Sequence, residues 1–182
     1  MQSHHGGQGV HARLPARVDA LGDLVLLEDQ DPSLWDQQLI ALGFHHFDQS
    51  MRGDEVSEHH VQAAIAATHI RSGLAGAIEW PTILGLYDQL LEMTGSAVVA
   101  LNRAVAVAKV HGAAEALRTT DPLAANPALR EYYLLMAVRG HFLLELNRRA
   151  EAADAFRAAL ERRCSEPERR LLRRKLAECA AS

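Results

Sequence analysis

Four histidines stand in two adjacent pairs, His45-His46 and His59-His60, and imidazole is a common ligand for zinc, copper and nickel. If the helices that carry them pack antiparallel, His46 and His60 face one another. A closed zinc site, however, needs four nitrogen or sulfur ligands, and no carboxylate or thiolate cluster accompanies these pairs. Histidines at the edge of amphipathic helices produce the same pattern, and His4 and His5 read as part of a solvated tail. No metal is expected. Catalytic machinery has no visible seat either: no serine occupies a nucleophile elbow, no glycine-rich turn follows a strand, and the HExxH spacing is absent. The expectation is a protein without catalytic residues or cofactor.

What remains is chemistry of contact. Asn102-Arg103 interrupts an otherwise apolar helical stretch. In stacked helical repeats such residues line the concave surface that receives a peptide or a neighbouring domain; on an ordinary helix they point to water. Trp35 and Trp80 each stand near a helix start beside a carboxylate, Asp36 and Glu79. Large aromatics in that position pack between adjacent helices more often than they bind a partner. Tyr87 joins them as an aromatic candidate, and Asn102, Arg103, Trp35, Trp80 and Tyr87 together are the candidate partner-binding set. Arg169-Arg170 and Arg173-Arg174-Lys175 form a dense basic run that suits an anionic partner, although Glu161, Glu166 and Glu168 nearby favour a solvated, charge-balanced face.

These residues must be positioned by helices, because apolar residues recur at helical spacing and no segment alternates with the period of a strand. Residues 1–23 have no period and read as a flexible N-terminal arm; Leu24-Val25-Leu26-Leu27 reads as a brief extended piece. Asp31 and Pro32 predict a helix running to about Met51, with Ile40, Phe44, Phe47 and Met51 inward. Ser57 caps a second helix, with Val61, Ala64 and Ile65 on one face and Thr68 as a more polar continuation, ending at Ser72-Gly73 before a Gly73–Gly76 linker. A third runs from Trp80-Pro81 to Thr94-Gly95, and Ser96 caps a fourth with Val98, Leu101, Val105 and Ala108 inward. A short helix from Ala113 to Thr119 stops at Asp121-Pro122. Helical segments at 128–146, with Leu129, Tyr133, Met136, Gly140 and Leu143 inward, and at 150–163 follow. Ser165 with Glu168 has the spacing of a capping box for the last helix. Very short connections make successive helices antiparallel neighbours.

Composition sets bounds. The 182 residues are 48% hydrophobic, enough for one domain with a proper core. Nineteen Lys and Arg against 23 Asp and Glu leave a net charge of −4, which offers no general attraction for phosphate backbones. Cys164 and Cys179 form no CxxC pair, there is no uninterrupted apolar span of membrane length, and no signal segment opens the chain. A reduced, cytoplasmic setting is the expectation.

Self-similarity of helical pairs is the most informative feature, since a pair cannot bury its apolar face alone and must stack on another. Gly140, Ala152, Phe156 and Ala159 fall at tetratricopeptide-repeat spacings, while Met136 and Leu143 replace the usual aromatics and Cys164 stands where a closing proline is common. Tyr87 and Leu91-Glu92-Met93 sketch an offset half-repeat. The expected fold is all-α, a TPR-like right-handed solenoid of seven or eight helices in stacked antiparallel pairs over residues 24–182.

Several ordered blocks carry a family resemblance. They are Leu24-Val25-Leu26-Leu27-Glu28-Asp29-Gln30-Asp31 with Ser33-Leu34-Trp35-Asp36, then Gln62-Ala63-Ala64-Ile65-Ala66-Ala67, then Trp80-Pro81 with Leu86-Tyr87-Asp88. Val99-Ala100-Leu101-Asn102-Arg103-Ala104-Val105-Ala106-Val107 and Glu168-Arg169-Arg170 with Leu176 complete them. Over about residues 17–178 the chain resembles the TPR-like C-terminal extension of extracytoplasmic-function RNA polymerase sigma factors. Pro32 departs from the arginine common in similar sequences. The resemblance implies a noncatalytic regulatory module in transcription initiation whose partners are the sigma factor's promoter-binding domains and RNA polymerase. Those promoter-binding domains have no room in this sequence, so the chain is expected not to recognise a promoter alone and to be either a fragment or a free-standing relic. A different class of reading is a small-ligand sensor with a pocket around Phe44, Trp80 and Tyr87, or a free-standing TPR-like adaptor.

Overall fold

Good helix formers with apolar positions three and four residues apart dominate the chain. The computed structural model describes residues 31–36, 38, 40, 41, 56–75 and 78–180, and these contain seven α-helices from Glu58 onward, α-helical residues at 38, 40 and 41, two 3-10 turns and no strand. The chain divides into two compact units, Met1–Thr94 and Gly95–Ser182. The N-terminal arm, the Leu24–Leu27 piece, and Phe44, His45, His46, Phe47 and Met51 lie outside the described residues.

In the first unit, Asp31 starts a turn as its sequence position suggests. Its Oδ1 accepts from the Ser33 amide at 2.8 Å, a bond that holds the Asp31 carboxyl below the usual carboxylate range. The expected continuous helix does not follow directly, because a 3-10 turn, Pro32–Leu34, closes after three residues. Asp36 then offers a second cap, its Oδ1 accepting from the Gln38 amide at 3.0 Å and its carbonyl from the Ile40 amide at 3.0 Å. An aspartate side chain that can bond the backbone two residues on competes with helix continuation. Trp35 and Ile40 are buried around this break.

Helix α1, Glu58–Ala75, is capped by Ser57 through a histidine rather than a glutamate. His60 Nδ1 accepts from the Ser57 amide at 2.9 Å and lies 3.0 Å from its hydroxyl. Val61, Ile65, Thr68 and Ser72 are buried along one side, and the Thr68 hydroxyl donates to the Ala64 carbonyl at 2.8 Å. Thr68 thus continues the inward face, as its position in the sequence suggests. Gly73–Gly76 is not a linker throughout, since α1 continues to Ala75. Buried Ser72 accepts from the Glu79 amide at 3.2 Å, which draws the connection against the last turns of α1 and satisfies a donor at the start of the next helix. Helix α2, Trp80–Thr94, begins and ends where its sequence predicts, packs on α1, and buries Ile83, Leu84 and Leu90.

The second unit holds α3 (Ala97–His111), α4 (Ala113–Ala124), α5 (Tyr133–Glu145), α6 (Arg149–Leu160) and α7 (Glu166–Ala180). Ser96 caps α3 by accepting from the Val99 amide. Gly112 alone separates α3 from α4, at φ 86, a left-handed conformation that a side chain rarely tolerates. Each helix packs on its successor, and α3 also touches α5 as α5 touches α7. Within this unit α3, α5 and α7 therefore adjoin in succession.

Three expectations shift here. Helix α4 runs through Pro122 to Ala124. Only two residues remain after the proline, so little of the helix lies beyond the missing amide donor. The segment at 128–146 is not one helix, because Asn126 accepts from the Ala128 amide at 2.9 Å and sets up a separate 3-10 turn, Pro127–Leu129, before α5. Helix α3 buries Leu101, Ala104, Ala106 and Val107, leaving Val98 42% exposed and Val105 and Ala108 half-buried. Small Ala104 is fully enclosed between Leu101 and Val107, whereas Val98 and Val105 are not enclosed.

The expected Ser165–Glu168 capping box is present: the Glu168 carboxylate accepts from the Ser165 amide at 2.7 Å. So is the close approach at Gly140. A Cβ built there would lie 2.8 Å from Phe156 Cε1, with Phe156, Ala152 and Ala159 all buried.

A polar tie joins α4 to α5. Thr120, fully buried, donates its hydroxyl to the Leu117 carbonyl at 2.6 Å and accepts from Arg139 Nη1 at 2.7 Å, while the same guanidinium nitrogen reaches Asp121 Oδ1 at 2.8 Å. Arg139→Met keeps much of the apolar stem but strips a donor from a buried oxygen. Urea titration should show a loss of about 1–3 kcal/mol, the usual cost of leaving such a group unsatisfied. An Asp121→Asn change, at an exposed partner, should cost less than 1 kcal/mol.

Candidate functional site

Asn102 and Arg103 sit on consecutive positions of α3, in the second unit, and both are half-buried. They flank the Leu101–Ala104 line that carries α3 into its core, so neither side chain projects wholly into water. An amide and a guanidinium in adjacent, partly desolvated positions can read backbone or carboxylate groups of a docked chain more selectively than fully hydrated ones.

The aromatic candidates belong to the first unit. Trp35 is 4% exposed and serves the core. Trp80, at the first position of α2, is half-buried and meets the ring of His69 on α1 edge-on, with centroids 5.8 Å apart and planes at 79°. Tyr87 is seven residues on, which places it on the same face of α2 two turns later; it too is half-buried. Trp80 therefore packs between helices, as its place beside a helix start suggests, while part of its ring stays accessible.

Among the described residues no group of three or more histidine, cysteine or acidic side chains converges as a metal site would require. The proposed facing of His46 and His60 lies outside the described residues at His46; His60 itself is engaged with Ser57. Cys164 and Cys179 are free thiols, both half-buried. Burial pushes the Cys179 thiol up, with Arg149 opposing, and its Sγ donates to the Lys175 carbonyl at 3.3 Å. The Tyr133 phenol is likewise raised, first by burial and then by its hydrogen bond to Glu168. Both shifts favour the neutral form. No described helix is long and apolar enough to cross a membrane.

Sequence reasoning overlooked the arginines that fasten helix ends to one another. Arg162 donates to the Arg130 carbonyl at 2.9 Å, Arg169 to the Leu160 carbonyl at 3.0 Å, and Arg149 to the Glu178 carbonyl at 2.8 Å. Two of these carbonyls, on Leu160 and Glu178, end helices whose last acceptors lack intrahelical donors. Basic residues near helix termini were the available signal.

Residues 10–51 match a family described as a family of unknown function, DUF6596. Over 171 residues, 94% of the chain, the sequence is 39% identical to the uncharacterized protein R00370 of Rhizobium meliloti (strain 1021). The chain covers 40% of that relative, so more than half of the relative lies outside the similarity. No solved structure matches the chain.

Proposed function

We propose that this chain is a noncatalytic regulatory and interaction module of an extracytoplasmic-function RNA polymerase sigma factor, built as a TPR-like right-handed solenoid and working in the cytoplasm. The observation that carries the reading is the ordered set of sequence blocks from Leu24 to Leu176 that resemble the C-terminal extension of those factors. The family matched at residues 10–51 is one often found at the C-termini of sigma-factor-like proteins, and it spans the first of these blocks. The similarity to part of a much longer relative fits a module that works beside other domains. Support for a repeat architecture comes from Gly140 against Phe156 and from the succession of α3, α5 and α7 within the second unit.

In this reading the module binds the sigma domains or the polymerase differently in two states and so biases the factor toward one of them. Asn102 and Arg103 on α3 form the contact surface, and Trp80 and Tyr87 are secondary candidates on α2. The test is a pull-down of the purified chain against RNA polymerase and against isolated sigma domains, with the Asn102→Ala, Arg103→Ala double variant alongside. Capture should be specific and should fall about tenfold or more in the variant, the loss expected for anchor residues of an interface. Absence of capture by the wild-type chain defeats the proposal and turns attention to a ligand-sensing role.

A further inference from the structure

Two helices of the chain are capped by the same device with different acceptors. Before α7, Glu168 stands three residues after Ser165, and its carboxylate accepts from the Ser165 amide at 2.7 Å. Before α1, His60 stands three residues after Ser57, and its Nδ1 accepts from the Ser57 amide at 2.9 Å; both residues are half-buried. A carboxylate keeps its lone pairs down to about pH 5. Imidazole is the side chain that ordinarily gains a proton between about pH 5 and 8. A ring nitrogen that accepts an N–H bond carries no proton of its own. Protonation turns Nδ1 into a donor facing another donor, and it places a positive charge in the first turn, where the helix dipole disfavours cations. The protonated ring can still donate to the Ser57 hydroxyl, 3.0 Å away, but the Ser57 amide loses its acceptor.

We propose that the His60–Ser57 cap is a pH-sensitive switch, which loosens the start of α1 on acidification while the equivalent box at α7 stays closed. The charged groups around it are few and wet. On α1, Glu58 and His59 are exposed and lie 3.9 Å from one another; exposed Arg71 is three turns further on. Helix α2, which packs on α1, carries Asp88 and Glu92, both exposed, and exposed Glu79 precedes it. Glu58 attracts a protonated ring, but its pull is screened by water, whereas the lost hydrogen bond acts at contact distance. Folding must keep the proton off Nδ1, so the unfolded chain binds more protons and stability rises with pH. The contribution of the cap is present above the histidine range and is lost as pH falls through it. His141 in the second unit works in the other direction, because its Nε2 lies 2.9 Å from the Glu145 carboxylate and a proton strengthens that pair. The switch belongs to the first unit and the contact surface of Asn102 and Arg103 to the second, so the two proposals fail separately.

Both tryptophans, Trp35 and Trp80, lie in the first unit, so tryptophan fluorescence during urea unfolding of the whole chain reads that unit. The wild type is compared with His60→Gln at about pH 7.5 and about pH 5.5, on either side of the histidine range. Glutamine at this position of a capping box accepts the same bond at both. On acidification the folded-to-unfolded ratio of the wild type should fall about fivefold further than that of the variant, the factor that corresponds to losing an average helix cap. His59 and His69 titrate in both proteins and cancel in the comparison. Equal pH dependence of the two proteins overturns the proposal. Nitrogen NMR of the wild type gives a second reading that does not depend on a variant. At about pH 7.5 the Nδ1 of His60 should be the ring nitrogen without a proton, and a proton found there overturns the proposal as well.

Discussion

Phe156→Ala should destabilise the second unit by about 3–5 kcal/mol, the range for removing a fully enclosed phenylalanine. Phe156 is 2% exposed on α6 and lies directly over Gly140 of α5. Its loss removes the transfer free energy of the ring and leaves a cavity that the flanking residues Ala152, Ala153 and Ala159 are too small to fill. Because folded domains have only about 5–15 kcal/mol of stability, the variant should unfold at markedly lower urea, with the helical signal of the second unit lost first. An unchanged midpoint would mean that the α5–α6 contact is not a principal support of the unit. By comparison, exposed Val98→Ala should change the midpoint little, since 42% of that residue stays in water.

The helices were legible because their limits are written in local chemistry. Ser96 before α3 and the Ser165–Glu168 pair before α7 act within three residues, and the Trp80-Pro81 and Thr94-Gly95 limits of α2 are local in the same way. What failed was decided over similar distances by competing side-chain bonds, as at Asp36 and Asn126, or by a hydrogen bond across a connection, as between Ser72 and Glu79. A spacing rule weighs none of these against the helix it predicts. Facing was harder than existence. The apolar residues of α3 nearly all have candidates for an inward role, and the choice among them depends on where a neighbouring helix comes closest. That is why Val98 emerged exposed while Ala104 disappeared from the surface.

The candidate site was legible as residue types more than as geometry. Asn102 and Arg103 stood out as polar residues in an apolar run, yet their half-burial follows from the packing of α3 and not from their neighbours in sequence. The edge-on meeting of Trp80 and His69 bridges two helices, and the Thr120–Arg139–Asp121 tie links residues eighteen and nineteen positions apart. No periodicity reports such pairs. The acidic first half and basic second half are visible in composition, but only the structure shows that Leu172 of α7 is buried while its neighbours Arg173 and Arg174 are exposed.

Gly140→Leu should be the companion failure, a loss of about 3 kcal/mol from overpacking. Glycine inside a helix costs about 0.5–1 kcal/mol relative to alanine, so a larger residue improves α5 in isolation. The opposing effect is steric and greater. A Cβ at position 140 would lie 2.8, 2.9 and 3.0 Å from Cε1, Cδ1 and Cζ of Phe156, and a ring buried on all sides has no easy rotation by which to retreat. The sign of the helix preference and the sign of the packing effect are therefore opposed, and stability decides which wins. The decisive measurement is a double-mutant cycle by urea unfolding. In a Phe156→Ala background the leucine enters space that the ring has vacated, so its penalty should shrink by about 2 kcal/mol, a coupling of the size found between residues in contact. Additive losses would show that Gly140 is constrained by something other than Phe156. Strong coupling would establish that α5 and α6 are held at their observed separation by this one pair, the smallest residue facing one of the largest.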